Sequence, residues 1–210
     1  VKPGIIIVGA GGHAKVCIEI LRAAGEQVAF CIGAGGAADC VGVPVLDGDH
    51  HLPRLYAVGY RRAFVAIGAN RLRATLGRVV REHGYELVNA ISPRAEVSPS
   101  ANVGAGVAIM AGAVINAEAV ISDLVIVNTG ATVDHDCVIG PAAHLAPQCA
   151  LAGNVTLDAC CFLGVGCKVI PGVTIGEHAI VGAGGVVISD VGAGVTAVGI
   201  PARPKRRTTE

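Results

Sequence analysis

The chain has 210 residues, a formal net charge of zero and 52% hydrophobic residues. That length suits one large or two small domains, and the neutral balance excludes a nucleic-acid partner held by a basic field. The apolar residues are dispersed, no run reaches the roughly 18 residues a spanning helix needs, and no leader pattern opens the chain, so the expectation is a soluble cytoplasmic protein.

Ile5-Ile6-Ile7-Val8 reads as a short buried strand running into Gly9-Ala10-Gly11-Gly12-His13. A helix is predicted over residues 14–24, closed by Gly25. Val28-Ala29-Phe30-Cys31-Ile32 reads as a second strand, followed by a loop over residues 33–36. Phe64-Val65-Ala66-Ile67 reads as another strand, followed by Gly68-Ala69-Asn70 and a helix over residues 71–83 with Leu72, Leu76, Val79 and Val80 apolar. This is the βαβ grammar of a small parallel sheet. Ser92-Pro93 marks its end.

Gly9-x-Gly11-x-x-Ala14 loosely matches a dinucleotide fingerprint, in which glycines let the backbone approach a phosphate at a helix N-terminus. The nicotinamide version needs an acid about twenty residues on, to hold the ribose. Here the second strand ends in Cys31-Ile32-Gly33-Ala34, with no acid before Asp39. The loop therefore reads as a cradle for a nucleotide or nucleotide-sugar phosphate, or as a tight turn with no ligand.

From Val97 the grammar changes. Every sixth residue to Val187, sixteen in all, is Val, Ile or Leu. Helical and strand periods do not produce a strict hexad, but a parallel β-helix does. The residue two before each beat is always small: Ala, Val, Cys or Gly. Cys137, Cys149, Cys161 and Cys167 fall in that slot and read as packing groups. No C-x-x-C pair exists, which argues against structural zinc. Three hexads make an 18-residue coil, so Cys149 and Cys167 stack on adjacent coils, about 4.8 Å apart.

Within this repeat, Asp134-His135-Asp136 gathers titratable groups at a turn. Histidine titrates near neutrality and suits a general base for an attacking amine or hydroxyl. Asp136 would fix its tautomer and stabilise its charged form. A solvated turn histidine is the plain alternative. Gly153 lies one coil on, where a side chain would crowd His135, and its N–H is a candidate oxyanion donor. Gly164, Val165, Gly182 and Ala183 offer a smooth wall for a pantetheine arm, or are simple turn residues.

The Gly-His loop, the Ala66-Ile67-Gly68-x-Asn70 segment and the hexad solenoid together resemble one family. It is the bacterial nucleotide-sugar and sialic-acid acetyltransferases of the left-handed β-helix (hexapeptide-repeat) type, which include the bacillosamine-pathway and perosamine N-acetyltransferases. The resemblance covers nearly the whole chain. It implies a nucleotide-sugar-binding α/β domain over residues 1–92, a left-handed parallel β-helix over 93–190, and a C-terminal tail near CoA over 191–210. It implies contacts to the sugar nucleotide from Gly11, Gly12 and His13, with Gly68 and Asn70 nearby. It assigns His135 as base, Asp136 as its support and Gly153 as oxyanion donor. It implies a homotrimer with active sites between subunits, in which a neighbour's His144 approaches the acetyl-CoA thioester. A ligand-free interface histidine is the alternative for His144. Arg203, Lys205 and Arg206 lie in a Gly-x-Pro-Ala-Arg tail suited to the CoA 3′-phosphate, or are a solvated basic tail.

The expected activity is direct, acetyl-CoA-dependent N-acetylation of a nucleotide-linked 4-amino-sugar in cell-surface glycan biosynthesis, with no metal. O-acetylation of a sugar such as sialic acid is the nearest alternative. A zinc hydrase on the same solenoid would need a third histidine at suitable spacing, which is missing. A non-catalytic assembly protein leaves the Asp134–Asp136 cluster unexplained. One departure from the family stands out: it usually carries an Asp pair where this chain has Gly33-Ala34.

Overall fold

The computed structural model describes residues 3–36 and 38–205, which fall into two compact units divided between Pro93 and Arg94. The first unit is a six-stranded sheet. Its strands are β1 (Ile5–Val8), β2 (Val28–Gly33), β3 (Asp39–Cys40), β4 (Val43–Asp47), β5 (Arg62–Val65) and β6 (Glu86–Leu87), in the order β3-β4-β2-β1-β5-β6. All pairings are parallel except β3 with β4. β1 is buried along its whole length, as the continuous run Ile5-Ile6-Ile7-Val8 requires of a strand covered on both faces.

Among the described residues three helices complete the unit: α1 (Gly12–Ala23), α2 (His51–Ala57) and α3 (Asn70–Glu82). The end of α1 is set by Gly25 at φ +83. Gly25 N–H donates to the Arg22 carbonyl and Glu26 N–H to the Leu21 carbonyl, the paired bonds of a Schellman motif. α3 differs from its expected apolar face. Leu72 is half exposed, and the buried stripe is Arg73, Gly77 and Val80. The i, i+4, i+7 spacing places an arginine inward, where a hydrophobic count assigns no role to it.

β3 and β4 form a hairpin closed by Val41 and Gly42, both at positive φ. That is the type I′ pattern, which favours Asn-Gly. Val41 is β-branched and sits at φ +50, a strained conformation. Val41→Asn is therefore expected to stabilise this unit by about 1 kcal/mol, read as a rise of roughly 4–8 °C in its melting temperature. An unchanged or lower melting temperature would count against this turn.

The second unit is a left-handed parallel β-helix. Each hexad beat ends a two-residue strand, from Glu96–Val97 to Val186–Val187. Strands pair in parallel with the strand 18 residues on, as in Thr132↔Ala150 and Val133↔Leu151. The beats from Ile109 to Val187 are buried, while Val97 and Val103 at the start are half-buried. The small residues two before the beats fill the corners, where Cys137, Cys149, Cys161 and Cys167 are fully buried. Cys149 and Cys161 each donate a weak S–H bond to a next-coil carbonyl, at 3.1 Å to Gly164 and 3.0 Å to Gly176.

The turn between faces has its own period. Three residues after each beat, from Gly106 to Gly184, the backbone takes positive φ at every sixth position. Six of those positions are glycine, but Asp136 is among those that are not. In the last coil the register shortens to 16 residues, Ile180↔Thr196 and Val181↔Ala197. Thr196–Val198 then pairs antiparallel with Arg203–Pro204.

Candidate active site

The solenoid site begins with a turn. Asp134 follows beat Val133, and its Oδ1 accepts the His135 backbone N–H at 2.8 Å and the Asn116 amide at 2.9 Å. Asn116 stands 18 residues earlier, directly one coil away. Those two bonds, the amide first, hold the Asp134 carboxyl below the usual carboxylate range. Asp134 thus caps the turn and leaves the imidazole free to project outward.

The positive φ of Asp136 bends the chain so that consecutive side chains converge. Its Oδ2 lies 2.7 Å from His135 Nδ1. A carboxylate only accepts, so Nδ1 carries the proton and Nε2 presents its lone pair. The Asp136 hydrogen bond, then the nearby Asp134 charge, raise the His135 pKa above its ordinary value. Both side chains of the dyad are more than half exposed, at 60% and 58%, so salt screens this effect.

Gly153 stands beside the ring. A Cβ built there would lie 2.5 Å from His135 Cε1 and 2.6 Å from Nε2. No bulkier residue fits without displacing the imidazole. The Gly153 N–H has no acceptor among the described residues. The slot two residues after each beat is one where the fold does not need a backbone N–H. Prolines occupy it at Pro99, Pro141, Pro147 and Pro171. A side-chain oxygen satisfies it at Ala105, Thr129 and His135.

Val165 and Ala183 occupy the same slot on stacked coils, joined by the bond from Gly184 N–H to the Val165 carbonyl. Both are exposed, and among the described residues neither N–H has an acceptor. Arg203 and Lys205 are exposed on the terminal hairpin, and Arg206 lies outside the described residues. His144 belongs to a different face of the prism from His135. The Asn128 amide donates to its Nε2 at 3.2 Å, and Phe162 meets its ring edge-on at 5.2 Å. Cys137, the thiol nearest His135 in sequence, is buried with its Sγ 3.2 Å from the Ala152 carbonyl. Burial raises its pKa, which removes it as a nucleophile. Among the described residues no group of three or more His, Cys, Asp or Glu could hold a metal ion, and no helix is long and apolar enough to cross a membrane.

In the first unit, β1 lies between β2 and β5, so the strand order reverses there. The glycine loop after β1 and Gly68–Asn70 after β5 stand at the carboxyl ends of adjacent strands, where α/β sheets bind ligands. Gly9 is demanded by the fold: at φ +119, its Cβ would meet the Ala66 carbonyl at 2.7 Å. Gly11 and Gly12, at the start of α1, are not so constrained, and a Cβ on either would meet nothing within 4 Å. Gly68 likewise borders open space. His13 is half-buried, with Nε2 3.6 Å from Cys17 Sγ. Burial, then the charge of Arg73, lower its pKa to about 4.

Gly33, where the family usually has an acid, abuts the glycine loop, and a Cβ there would meet Ala10 Cβ at 2.9 Å. Its register partner on β4 is Asp47, which places an exposed carboxylate at the same sheet edge. Asp39 instead closes its own turn, accepting the Gly42 N–H at 3.0 Å. Sequence reasoning missed Asp47, Asn116 and Arg73. The 18-residue coil was signal enough for Asn116, while Asp47 and Arg73 depend on strand order and helix phase.

A small, mostly parallel α/β sheet followed by a left-handed parallel β-helix defines a class of fold, and comparison with known proteins narrows it. Residues 4–80 match the family model described as the PglD N-terminal domain. Over 98% of the chain, the fold superposes on 99% of PerB from Caulobacter crescentus, solved with CoA and GDP-perosamine, with TM-score 0.95 and 56% identity. The acetyltransferase domain of PglB from Neisseria gonorrhoeae, solved with acetyl coenzyme A, matches at TM-score 0.93 and 35% identity, over 98% of this chain and all of that one. UDP-3-O-acylglucosamine N-acyltransferase 2 of Rhodopseudomonas palustris is 33% identical over 88 residues, 39% of this chain. The matches to curated relatives span only 22%, 24% and 29% of those proteins. The chain belongs to the CoA-dependent sugar N-acetyltransferase family that includes PerB and the PglB acetyltransferase domain.

Proposed function

We propose that this protein transfers acetyl from acetyl-CoA directly to the 4-amino group of a nucleotide-linked amino-sugar, with His135 as general base. The observation that carries the reading is the His135–Asp136 contact at 2.7 Å, with Gly153 leaving the ring's outer edge clear. His135 Nε2 takes the proton released as the amine nitrogen bonds to the thioester carbonyl carbon. The Gly153 N–H donates to the carbonyl oxygen as charge develops there. The C–S bond then breaks, and the departing CoA sulfur takes up a proton. Asp136 holds the ring's tautomer throughout.

The N–H groups of exposed Val165 and Ala183, which have no acceptor among the described residues, suit the amide carbonyls of a pantetheine arm, and Arg203 and Lys205 suit the 3′-phosphate. Gly11, Gly12, His13, Gly68 and Asn70 line the end proposed for the sugar nucleotide. The likeness to PerB favours a nucleoside-diphosphate amino-sugar. A homotrimer would place His144 of a neighbouring copy near the thioester. A thiol-release assay with acetyl-CoA against UDP-, GDP- and dTDP-linked 4-amino-sugars tests the reading. Turnover of at least one is expected. Turnover of free sialic acid alone would replace the amine acceptor with a hydroxyl.

A further inference from the structure

Among the described residues Arg73 is the largest fully buried side chain, 1% exposed on α3. Its guanidinium holds one short loop by three hydrogen bonds. Nη1 donates to the carbonyls of Ile67 and Gly68, each at 2.9 Å, and Nη2 donates to Asn70 Oδ1 at 2.9 Å. A buried guanidinium is costly to desolvate, and an apolar residue of similar volume would fill the same space with less penalty. Beside Gly77 and Val80 on the inward stripe, packing alone gives no reason for arginine. The three bonds do give one. They fix the loop between β5 and α3, which has no side-chain cap of its own. Gly68 and Asn70 then hold one conformation at the point where the sheet's strand order reverses.

We propose that Arg73 is a positioning residue for the nucleotide diphosphate: it locks Gly68–Asn70 in the conformation that receives the ligand and places a fixed positive charge behind the glycine loop. This rests on reading the first unit as the nucleotide site. The planar fork matters, because two carbonyls and an amide oxygen are engaged in fixed directions, which an ammonium reproduces poorly. The same charge reaches the start of α1, where His13 faces Cys17 on its own helix and Arg73 on α3. Burial first, and the Arg73 charge second, keep His13 neutral, so that it serves as a hydrogen-bonding group.

The test uses the full chain with Arg73→Met and Arg73→Lys. Binding of GDP, UDP and dTDP is measured by calorimetry, KM is measured for each substrate, and His13 is titrated by NMR without ligand. Arg73→Met is expected to weaken the nucleotide that the wild type binds by tenfold or more. The amino-sugar KM should rise in step, with kcat and the acetyl-CoA KM within twofold. The His13 pKa should rise from about 4. Arg73→Lys should keep His13 low but recover nucleotide affinity only in part. A folded Arg73→Met protein with wild-type nucleotide affinity overturns the proposal, as does a loss shared equally by acetyl-CoA. If Arg73→Met does not fold, Arg73→Lys decides alone, and wild-type affinity in it overturns the proposal. A wild type that binds none of the three nucleotides removes the nucleotide reading itself, an outcome distinct from a wild type and variants that bind equally.

Discussion

Replacing His135 by Asn is expected to lower kcat roughly 10²–10⁴-fold, the usual contribution of a positioned general base, with the KM for acetyl-CoA nearly unchanged. The ring is more than half exposed, so the melting temperature should not move. The pH profile carries a second signature. Asp136 first, and Asp134 second, favour the protonated ring and raise its pKa. The base works only when unprotonated. The acidic limb of kcat/KM therefore lies alkaline of an unperturbed histidine, near 6.5. Asp136→Asn removes the larger cause, so the limb should shift to lower pH while the plateau rate falls. High salt should shift the wild-type limb in the same direction. A limb that ignores Asp136→Asn would detach the aspartate from the base.

Gly153→Ala is expected to cost on the order of 10²-fold in kcat, the scale of an ångström's misplacement of a reacting group. The added methyl would sit 2.5 Å from His135 Cε1, so something must move. The imidazole is the exposed end of a flexible side chain, and it yields rather than the backbone. Stability should barely change while the catalytic geometry is lost. Alanine keeps the backbone N–H, so this variant separates room for the ring from oxyanion donation. A kinetically normal Gly153→Ala would show that the ring does not need its observed position.

The solenoid was largely legible because its repeat is a metric. Eighteen residues per coil placed Gly153 against His135 before any coordinate, and the corner slot accounted for the buried cysteines. The turns were less readable. Positive φ is signalled by glycine or asparagine, yet the tertiary frame imposes it on Asp136, and that bend is what joins the dyad. The first unit hid more. Val41-Gly42 lacks the Asn-Gly signature, and β4 carries Pro44 inside a short run, so the hairpin gave no local signal. α2 is brief and contains Pro53. The helix phase drawn from Leu72, Leu76, Val79 and Val80 gave Arg73 no role, whereas Leu72 is half exposed and Arg73 is buried. The tip of β2 read as a missing acid, whereas strand order brings Asp47 alongside it.

The most direct measurement of the central claim follows the acetyl group. The protein is mixed with acetyl-CoA alone, then with a nucleotide-linked 4-amino-sugar, while released thiol, protein intact mass and acetylated sugar are recorded together. Direct transfer at the His135–Gly153 corner predicts no thiol burst and no change in protein mass before acceptor is added. Thiol and acetyl-sugar should then appear in equal amounts, at a rate that His135→Asn lowers roughly 10²–10⁴-fold. An acetylated protein, or undiminished transfer by His135→Asn, would contradict it.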